Sequence, residues 1–124
     1  MAKKGTYVDG FVLVVPKKKL PAYKKMAGKS AYIWRKYGAV DYQECVGDDL
    51  TPKGIKNPFT KAFKCKKSET IVFSYIVYKS RAARDKANAK VMKDPALLKM
   101  MKDMPMPFDL KRMAYGGFKI VVGY

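Results

Sequence analysis

The fold is decided by two stretches, Thr6-Tyr-Val-Asp-Gly-Phe-Val-Leu-Val-Val15 and Glu69-Thr-Ile-Val-Phe-Ser-Tyr-Ile-Val-Tyr78. Both are rich in β-branched and aromatic residues and predict β-strands. Apolar residues occupy both alternating faces of each stretch, a pattern typical of strands buried on two sides. Two helices are predicted elsewhere, and they can cover only one face of the resulting sheet. The sequence therefore predicts a homodimer, with these two strands at the centre of a sheet of order 4-1-3-2.

The segments between and after these strands predict two helical regions and two further strands. Residues 17–37 carry an apolar stripe at three- and four-residue intervals, which predicts an amphipathic helix. Residues 39–46 predict a more polar strand, and residues 47–68 predict a long loop rich in lysine, glycine and proline. Residues 111–123 predict the last strand, with a bulge at Gly116-Gly117.

The second helical region is predicted in two pieces. Ser80 is expected to cap a helix over residues 81–93, and Asp94-Pro95 restarts it because Asp caps well and Pro suits the first helical position. Leu97, Leu98 and Met101 are expected to face inward. The order βαββαβ predicts a single ferredoxin-like α+β domain over residues 1–124, which would pair with a second copy as a dimeric α+β barrel.

The absence of histidine from all 124 residues excludes several chemistries. Ser-His-Asp and Cys-His catalysis need an imidazole, as do His-ligated zinc, iron and haem. The chain has no phosphate-binding GxxxxGKS/T or GxGxxG stretch, so no cofactor and no metal is predicted. We expect its two cysteines, Cys45 and Cys65, to be free thiols. No signal peptide or membrane span is recognisable, so the predicted location is the cytoplasm.

The charge of the chain is +17, and it is unevenly placed. Residues 17–37 carry eight Lys or Arg and no acid, whereas residues 39–50 carry four acids and no base. Such asymmetry attracts anions and nucleic acid. A solvated surface explains the same lysines equally simply. Nucleic-acid binding by this face is predicted to be weak, nonspecific and salt-sensitive, since lysine reads base edges poorly.

Two acids on the predicted strands are candidates for a ligand site. Asp9 interrupts an apolar central strand, where a buried carboxyl needs a partner or a raised pKa. The alternative is a strand irregularity at Asp9-Gly10, with the acid paired to a base such as Arg112. Glu44 and Cys45 must point to opposite faces of the second strand, and we expect Cys45 to be a small buried residue. Asp48-Asp49 are expected to form a turn in preference to a metal site.

Five polar side chains later in the chain complete the candidate set. Arg84 and Asn88 lie four residues apart on one helix and could bind a polar group of a ligand, or make a surface ion pair and an interface hydrogen bond. Asp109, Arg112 and Tyr115 could hold an anionic or phenolic ligand. Helix capping by Asp109 and sheet packing by Tyr115 are the competing explanations.

Several of these segments together resemble the YbaA-like family of uncharacterised bacterial proteins, domain of unknown function 1428. The residues that carry the resemblance are Tyr7-Val-Asp-Gly-Phe11, Glu44-Cys45, Gly47-Asp-Asp49, Glu69-Thr70, Asp94-Pro95, Met106-Pro-Phe-Asp109 and Tyr115-Gly-Gly-Phe118. The resemblance implies a dimeric α+β barrel and no established activity. Val46, Ala96 and Leu110 depart from the Trp, Arg and Gly that the family often has there, which weakens any anion-binding role near residue 96.

The functional hypothesis is a homodimeric barrel that binds a small apolar or aromatic ligand, with cofactor-free chemistry as one option. That option rests on analogy with other barrels of this architecture, and whether the protein is an enzyme stays open. The alternative is nonspecific binding of nucleic acid or another polyanion through the lysine-rich face. A structural partner protein is a third possibility.

Overall fold

A computed structural model describes residues 5–103 and 106–123. The strands are β1 (Tyr7–Pro16), β2 (Asp41–Val46), β3 (Glu69–Tyr78) and β4 (Ala114–Lys119). The helices are α1 (Leu20–Lys36), the single turn α2 (Phe59–Ala62), α3 (Arg81–Val91) and α4 (Pro95–Asp103). Turns of 3-10 helix precede α1 and β4, at Lys17–Lys19 and Leu110–Arg112. The predicted α+β class and the sequence of strands and helices agree with these elements.

The four strands form one antiparallel sheet in the order β2-β3-β1-β4. Strands β1 and β3 pair along their full length, from Tyr7 opposite Tyr78 to Pro16 opposite Glu69. Because side chains alternate along a strand, Tyr7, Asp9 and Phe11 share one face of the sheet. Helices α1 and α3 contact the sheet, and the sheet residues of the packed core groups described next lie on this face. We call it the helix face.

The core consists of three packed groups between the helices and the sheet. One joins α1 to β1 and β3 through Tyr23, Ala27, Leu13 and Val72. A second joins α1 to α3 and α4, with Ile33, Val91, Leu97 and Met100 buried together. A third is built from Ile76, Tyr78 and Ala87. Fully burying one such aliphatic side chain stabilises the fold by about 1.5–3 kcal/mol.

Both predicted caps of the second helical region are present. The Ser80 hydroxyl accepts a hydrogen bond from the backbone N–H of Ala83 at 3.1 Å. The Asp94 carboxylate accepts from the backbone N–H of Ala96 at 2.8 Å, and its other oxygen accepts from Tyr37 Oη at 2.6 Å. Asp94 is buried, and these donors hold its pKa down at about 2.

Two details of this half of the chain differ from the sequence prediction. Met100 is buried beside Leu97, whereas Leu98 and Met101 are half exposed, because the three-residue spacing from Leu97 to Met100 faces α1. Strand β4 has no bulge: residues 114–119 pair with residues 7–12 in an unbroken register. The glycines there have a packing role, described below.

The other face of the sheet is partly open. Cys45, Phe73 and Val12 lie side by side across it, by the registers of β2, β3 and β1. Phe73 is 45% exposed and Phe118 is 61% exposed. The prediction that nothing in the chain covers this face is wrong at one end, where Val14 and Ile71 are buried and α2 contacts β3. We call the uncovered remainder the open face.

No helix within the described ranges is long and apolar enough to cross a membrane.

Candidate functional site

The centre of the candidate site is the carboxyl of Asp9 on β1, which points to the helix face and is only 1% exposed. Arg84 of α3 donates from Nη1 to Asp9 Oδ1 at 2.6 Å. The base that pairs with Asp9 is therefore Arg84, not Arg112 as the sequence offered. Helix α3 packs against β3 on the helix face, and the long Arg84 side chain reaches Asp9, 75 positions away in the chain.

The Arg84 guanidinium is the hub of this cluster. Its Nη1 also donates to Tyr115 Oη at 2.9 Å, and its Nε donates to Asp85 at 2.7 Å. The guanidinium carbon lies 4.9 Å from the centre of the Tyr7 ring, in the range of a cation–π contact. All these contacts leave the side chain only 12% exposed. Arginine suits such a site because its planar fork offers five N–H donors.

Asn88 joins the cluster one turn further along α3. Its amide oxygen accepts from Trp34 Nε1 at 3.2 Å and from Tyr78 Oη at 3.4 Å. Its amide group also lies near enough to the Asp9 carboxyl to lower that group's pKa. The structure thus unites four sequence-predicted candidates at one place: Asp9, Arg84, Asn88 and Tyr115. We call this group the Asp9 cluster.

Two opposing effects determine the pKa of Asp9: burial of the carboxyl and the charge of Arg84. Burial raises the pKa of Asp9 above its ordinary value, although the charge of Arg84 and the hydrogen bonds from Tyr115 and Asn88 oppose the rise. Burial and the Asp9 charge also raise the pKa of Tyr115. The outcome is a carboxyl and a phenol that both hold protons more tightly than in water, beside a permanently charged guanidinium.

Gly117 makes room for this arrangement. It lies opposite Asp9 on β4, and a Cβ atom there would collide with Tyr7 Oη and come within 3.0 Å of Arg84 Nη1. Gly116 faces the other way, where a Cβ atom would meet only the Phe118 ring at 3.5 Å. In the glycine pair that suggested a bulge, Gly117 therefore leaves space that the side chains of Tyr7 and Arg84 occupy.

Glu44 forms a second cluster on the same face, two strands from β1 and level with Phe11, which places it roughly 12 Å from Asp9. Tyr23 Oη donates to Glu44 Oε1 at 2.7 Å, and Tyr42 Oη donates to Oε2 at 2.8 Å. No Lys or Arg among the described residues pairs with it within 4.0 Å. Burial raises the pKa of Glu44, and burial next to that carboxylate raises the pKa of both phenols.

Asp109 and Arg112 lie apart from both clusters. Arg112 donates from Nη2 to Glu69 at 2.7 Å and from Nε to Asp109 at 2.7 Å. Asp109 also caps the 3-10 turn by accepting from the backbone N–H of Lys111. This triad joins the turn before β4 to the start of β3 and holds the pKa values of Glu69 and Asp109 below their ordinary range. Its geometry supports a structural role.

Sequence reasoning missed three tyrosines that contact Arg84 or Glu44: Tyr7, Tyr23 and Tyr42. The sequence places Tyr7 in the first predicted strand, Tyr23 in the predicted helix over residues 17–37 and Tyr42 in the second strand, and none of them is predicted to be a site residue. A signal was available, because a tyrosine that is buried beside an acidic residue usually hydrogen-bonds through its hydroxyl. Phe11 also belongs here, since its ring centroid lies 4.9 Å from that of Tyr115.

The cysteines and the acidic turn contribute nothing to these clusters. Cys45 and Cys65 are free, and Cys45 is exposed on the open face, contrary to the expectation that it is buried. It does point away from Glu44, as predicted. The described parts of the chain hold no group of three or more Cys, Asp or Glu side chains placed to bind a metal ion.

Comparison with known proteins identifies relatives of the whole chain. Residues 6–110 match the family described as "Protein of unknown function (DUF1428)". The chain is 44% identical over 116 residues to "Uncharacterized protein YbaA" of Escherichia coli K12, an alignment that covers 94% of this chain and 97% of that protein. The YbaA protein of Shigella flexneri matches to the same extent.

Solved structures with the same fold are more distant in sequence. A nipsnap family protein with unknown function from Agrobacterium tumefaciens superposes with a TM-score of 0.58 at 14% identity, covering 93% of this chain and 87% of that one. A dimeric ferredoxin-like protein from an uncultured marine organism gives a TM-score of 0.58 at 9% identity, covering 95% and 97% of the two chains. These likenesses establish the fold as ferredoxin-like.

Proposed function

The chain belongs to the DUF1428 family of proteins of unknown function, and we propose that it is a homodimeric protein that binds a small aromatic or apolar ligand carrying one polar group. Each protomer would be a single domain over residues 1–124. Two sheets would meet through their open faces and close an α+β barrel. The ligand would lie at the Asp9 cluster on the helix face. A cytoplasmic location stays a prediction.

The dimer is supported by the composition of the open face. Phe73 and Tyr75 lie together there, with ring centroids 5.9 Å apart, and Phe118 extends the apolar surface on β4. Contiguous apolar surfaces of this kind are rare on monomers and mark contact sites. Burial against a second copy would remove them from water. The marine protein of the same fold is described as dimeric.

The ligand site is supported by one observation above all: a central strand of the sheet carries a carboxyl that is 1% exposed and paired with an arginine, which in turn hydrogen-bonds the Tyr115 phenol. An apolar pair of similar volume often stabilises a fold as well as a buried ion pair does, so stability alone explains Asp9 poorly. Tyr115 is 50% exposed, and its ring packs on Phe11. The polar group of a ligand can therefore reach Tyr115 Oη and Arg84 while its apolar part packs on these rings.

Any reaction on the ligand bound there would use the buried Asp9 carboxyl as an acid–base group and would need no cofactor. The pKa of Asp9 is raised, and a carboxyl whose pKa lies nearer to neutrality exchanges protons more effectively. Binding is the primary proposal, and turnover of the ligand would extend it.

The dimer is tested by sedimentation equilibrium between about 1 and 50 µM protein. Wild type is expected to sediment with the mass of two chains. Phe73→Glu, which places a charge at the centre of the open face, should shift the mass to that of one chain. Tyr32→Glu is the matched control, because it makes the same kind of change on α1, and it should stay dimeric. A monomeric wild type would refute the dimer.

The ligand site is tested by thermal denaturation with single-ring probes at about 5 mM: phenol, benzoate and 4-hydroxybenzoate, with acetate as the control that lacks a ring. A ligand that binds the folded state raises Tm in a concentration-dependent way. We expect a rise with at least one ring compound and none with acetate. Tyr115→Phe should reduce that rise, whereas Tyr75→Phe should not. An equal rise in Tyr115→Phe, or no rise with any ring, counts against the site.

A further inference from the structure

The outer surface of α1 is strongly basic. Lys24, Lys25, Lys29 and Arg35 are exposed on this helix, and no described acid lies within 4.0 Å of their charged groups. Lys36 differs from them, because it pairs with Asp94 at 3.2 Å. Helix α1 lies on the helix face, so dimerisation through the open face would leave this surface accessible.

An aromatic side chain stands in the middle of these cations. Tyr32 is 73% exposed and separates two shallow grooves of about 510 and 460 Å³. The first groove runs between α1 and the start of α4 and is lined by Lys24, Lys25, Lys29 and Ala96 beside Tyr32. Its described lining contains no acid. The second groove does contain one, Asp41.

Gly28 keeps the first groove open. It lies in the middle of α1, where glycine costs about 0.5–1 kcal/mol relative to alanine, and a Cβ atom at this position would meet no other atom within 4 Å. Gly28 lies one turn before Tyr32 and lines the same groove. The groove therefore combines an exposed aromatic side chain with bare backbone and three lysines.

From this arrangement we propose that the first groove binds single-stranded nucleic acid, with the lysines contacting phosphates and an unpaired base stacking on Tyr32. A cationic track with an exposed aromatic ring is the usual arrangement for this ligand. A duplex would fit worse, because its bases are already stacked on one another. The binding tolerates many sequences, since neither lysine nor an aromatic ring distinguishes base edges well. This site is independent of the proposed ligand at Asp9.

The test is fluorescence anisotropy with a fluorescein-labelled 12-nucleotide oligothymidylate at about 150 mM salt. Wild type should bind this strand more tightly than a 12-base-pair duplex. Tyr32→Ala should weaken binding about tenfold, and Tyr32→Phe should restore most of it because the stacking ring remains. Gly28→Leu should also weaken binding by filling the groove, while far-UV circular dichroism shows an intact helix, since leucine is a better helix former than glycine.

Salt dependence separates specific phosphate contacts from general charge. Replacing Lys24, Lys25 and Lys29 together by Gln should reduce the slope of log K against log salt by about 2, given about 0.7 per phosphate contact on a single strand. The matched control replaces three exposed loop lysines by Gln, Lys53, Lys56 and Lys67, and should leave the slope nearly unchanged.

Four results would overturn the proposal. They are an absence of binding to oligothymidylate at about 150 mM salt, equal affinity for the duplex, unchanged affinity in Tyr32→Ala, and an equal loss of slope in the loop variant. Binding to phosphatidylglycerol vesicles without binding to oligothymidylate would assign the surface to a membrane instead, and would overturn it as well.

Discussion

Arg84→Met is the substitution whose effect the structure predicts most directly. It keeps an unbranched apolar side chain but removes the guanidinium that lies 2.6 Å from Asp9. The Asp9 carboxyl is 1% exposed, so the substitution leaves its charge buried without a cationic partner. Removing one member of a buried ion pair costs about 3–5 kcal/mol, because the other charge is left buried. The total stability of a domain this size is about 5–15 kcal/mol, so the variant is expected to remain folded without denaturant.

Urea unfolding measures this loss. With a denaturant dependence of about 2 kcal/mol/M, a loss of 4 kcal/mol lowers the midpoint by about 2 M at pH 7.5. Arg81→Met on the same helix is the matched control. Its partner Asp85 lies 4.0 Å away and both side chains are more than half exposed, so the expected loss is below about 1 kcal/mol.

The loss should also depend on pH, in a direction set by Asp9. Its pKa is raised in the folded protein, and removal of Arg84 raises it further. The folded state then binds a proton more tightly than the unfolded state does, so stability falls as pH rises from the ordinary pKa of Asp9 toward the raised one. The loss in Arg84→Met should therefore be smaller at pH 4.5 than at pH 7.5. An equal loss at both pH values, or one as small as in Arg81→Met, would refute the reasoning.

Three further predictions concern the surroundings of the clusters and the α4 cap. Gly117→Ala should destabilise the protein by about 1–3 kcal/mol in urea unfolding, because the new Cβ atom collides with Tyr7 and crowds Arg84; Gly116→Ala should cost less, and equal losses would contradict this packing role. Glu44 has a raised pKa, so Glu44→Gln should gain stability relative to wild type as pH rises above 4.5, and a relative loss over that range would be the contrary result. The lowered pKa of Asp94 means that its stabilising effect is lost as pH falls from about 4 to 2; the difference between wild type and Asp94→Ala should shrink over that range, and a constant difference would argue against it.

Local patterns were sufficient where the cause of structure is local. The strand Glu69–Tyr78 was predicted with its observed bounds, because a continuous run of β-branched and aromatic residues has few other conformations available. The caps at Ser80 and Asp94 follow from the same short-range chemistry. The prediction that Leu98 and Met101 of α4 face inward was wrong. Three- and four-residue spacings both fit a helix, and only the position of α1 determines which of them is buried.

The candidate site was predicted as a set of residues but not as a set of contacts. Asp9 was a site candidate because burying an acidic side chain in an apolar strand costs free energy. That argument needs only the sequence. Its partner could not be read from spacing, since both Arg84 and Arg112 were available. The choice depended on where α3 crosses the sheet. Arg112 pairs with Glu69 and Asp109 instead of with Asp9, because it lies in the 3-10 turn before β4.

The sequence by itself determined the types and order of the elements, the two-sided apolar character of the central strands, the strong basic charge and the absence of imidazole chemistry. Only the tertiary structure decided that Asp9 meets Arg84 and Tyr115, that Glu44 meets two phenols, and that Tyr32 stands exposed among lysines. The physical reason is the distance along the chain over which each kind of interaction acts. Backbone conformation responds to neighbours within a few residues. The bonds Tyr23–Glu44, Arg84–Tyr115 and Asp9–Arg84, in contrast, join residues 21, 31 and 75 positions apart on different elements. The exposure of Tyr32 likewise depends on how α1 packs against the rest of the fold.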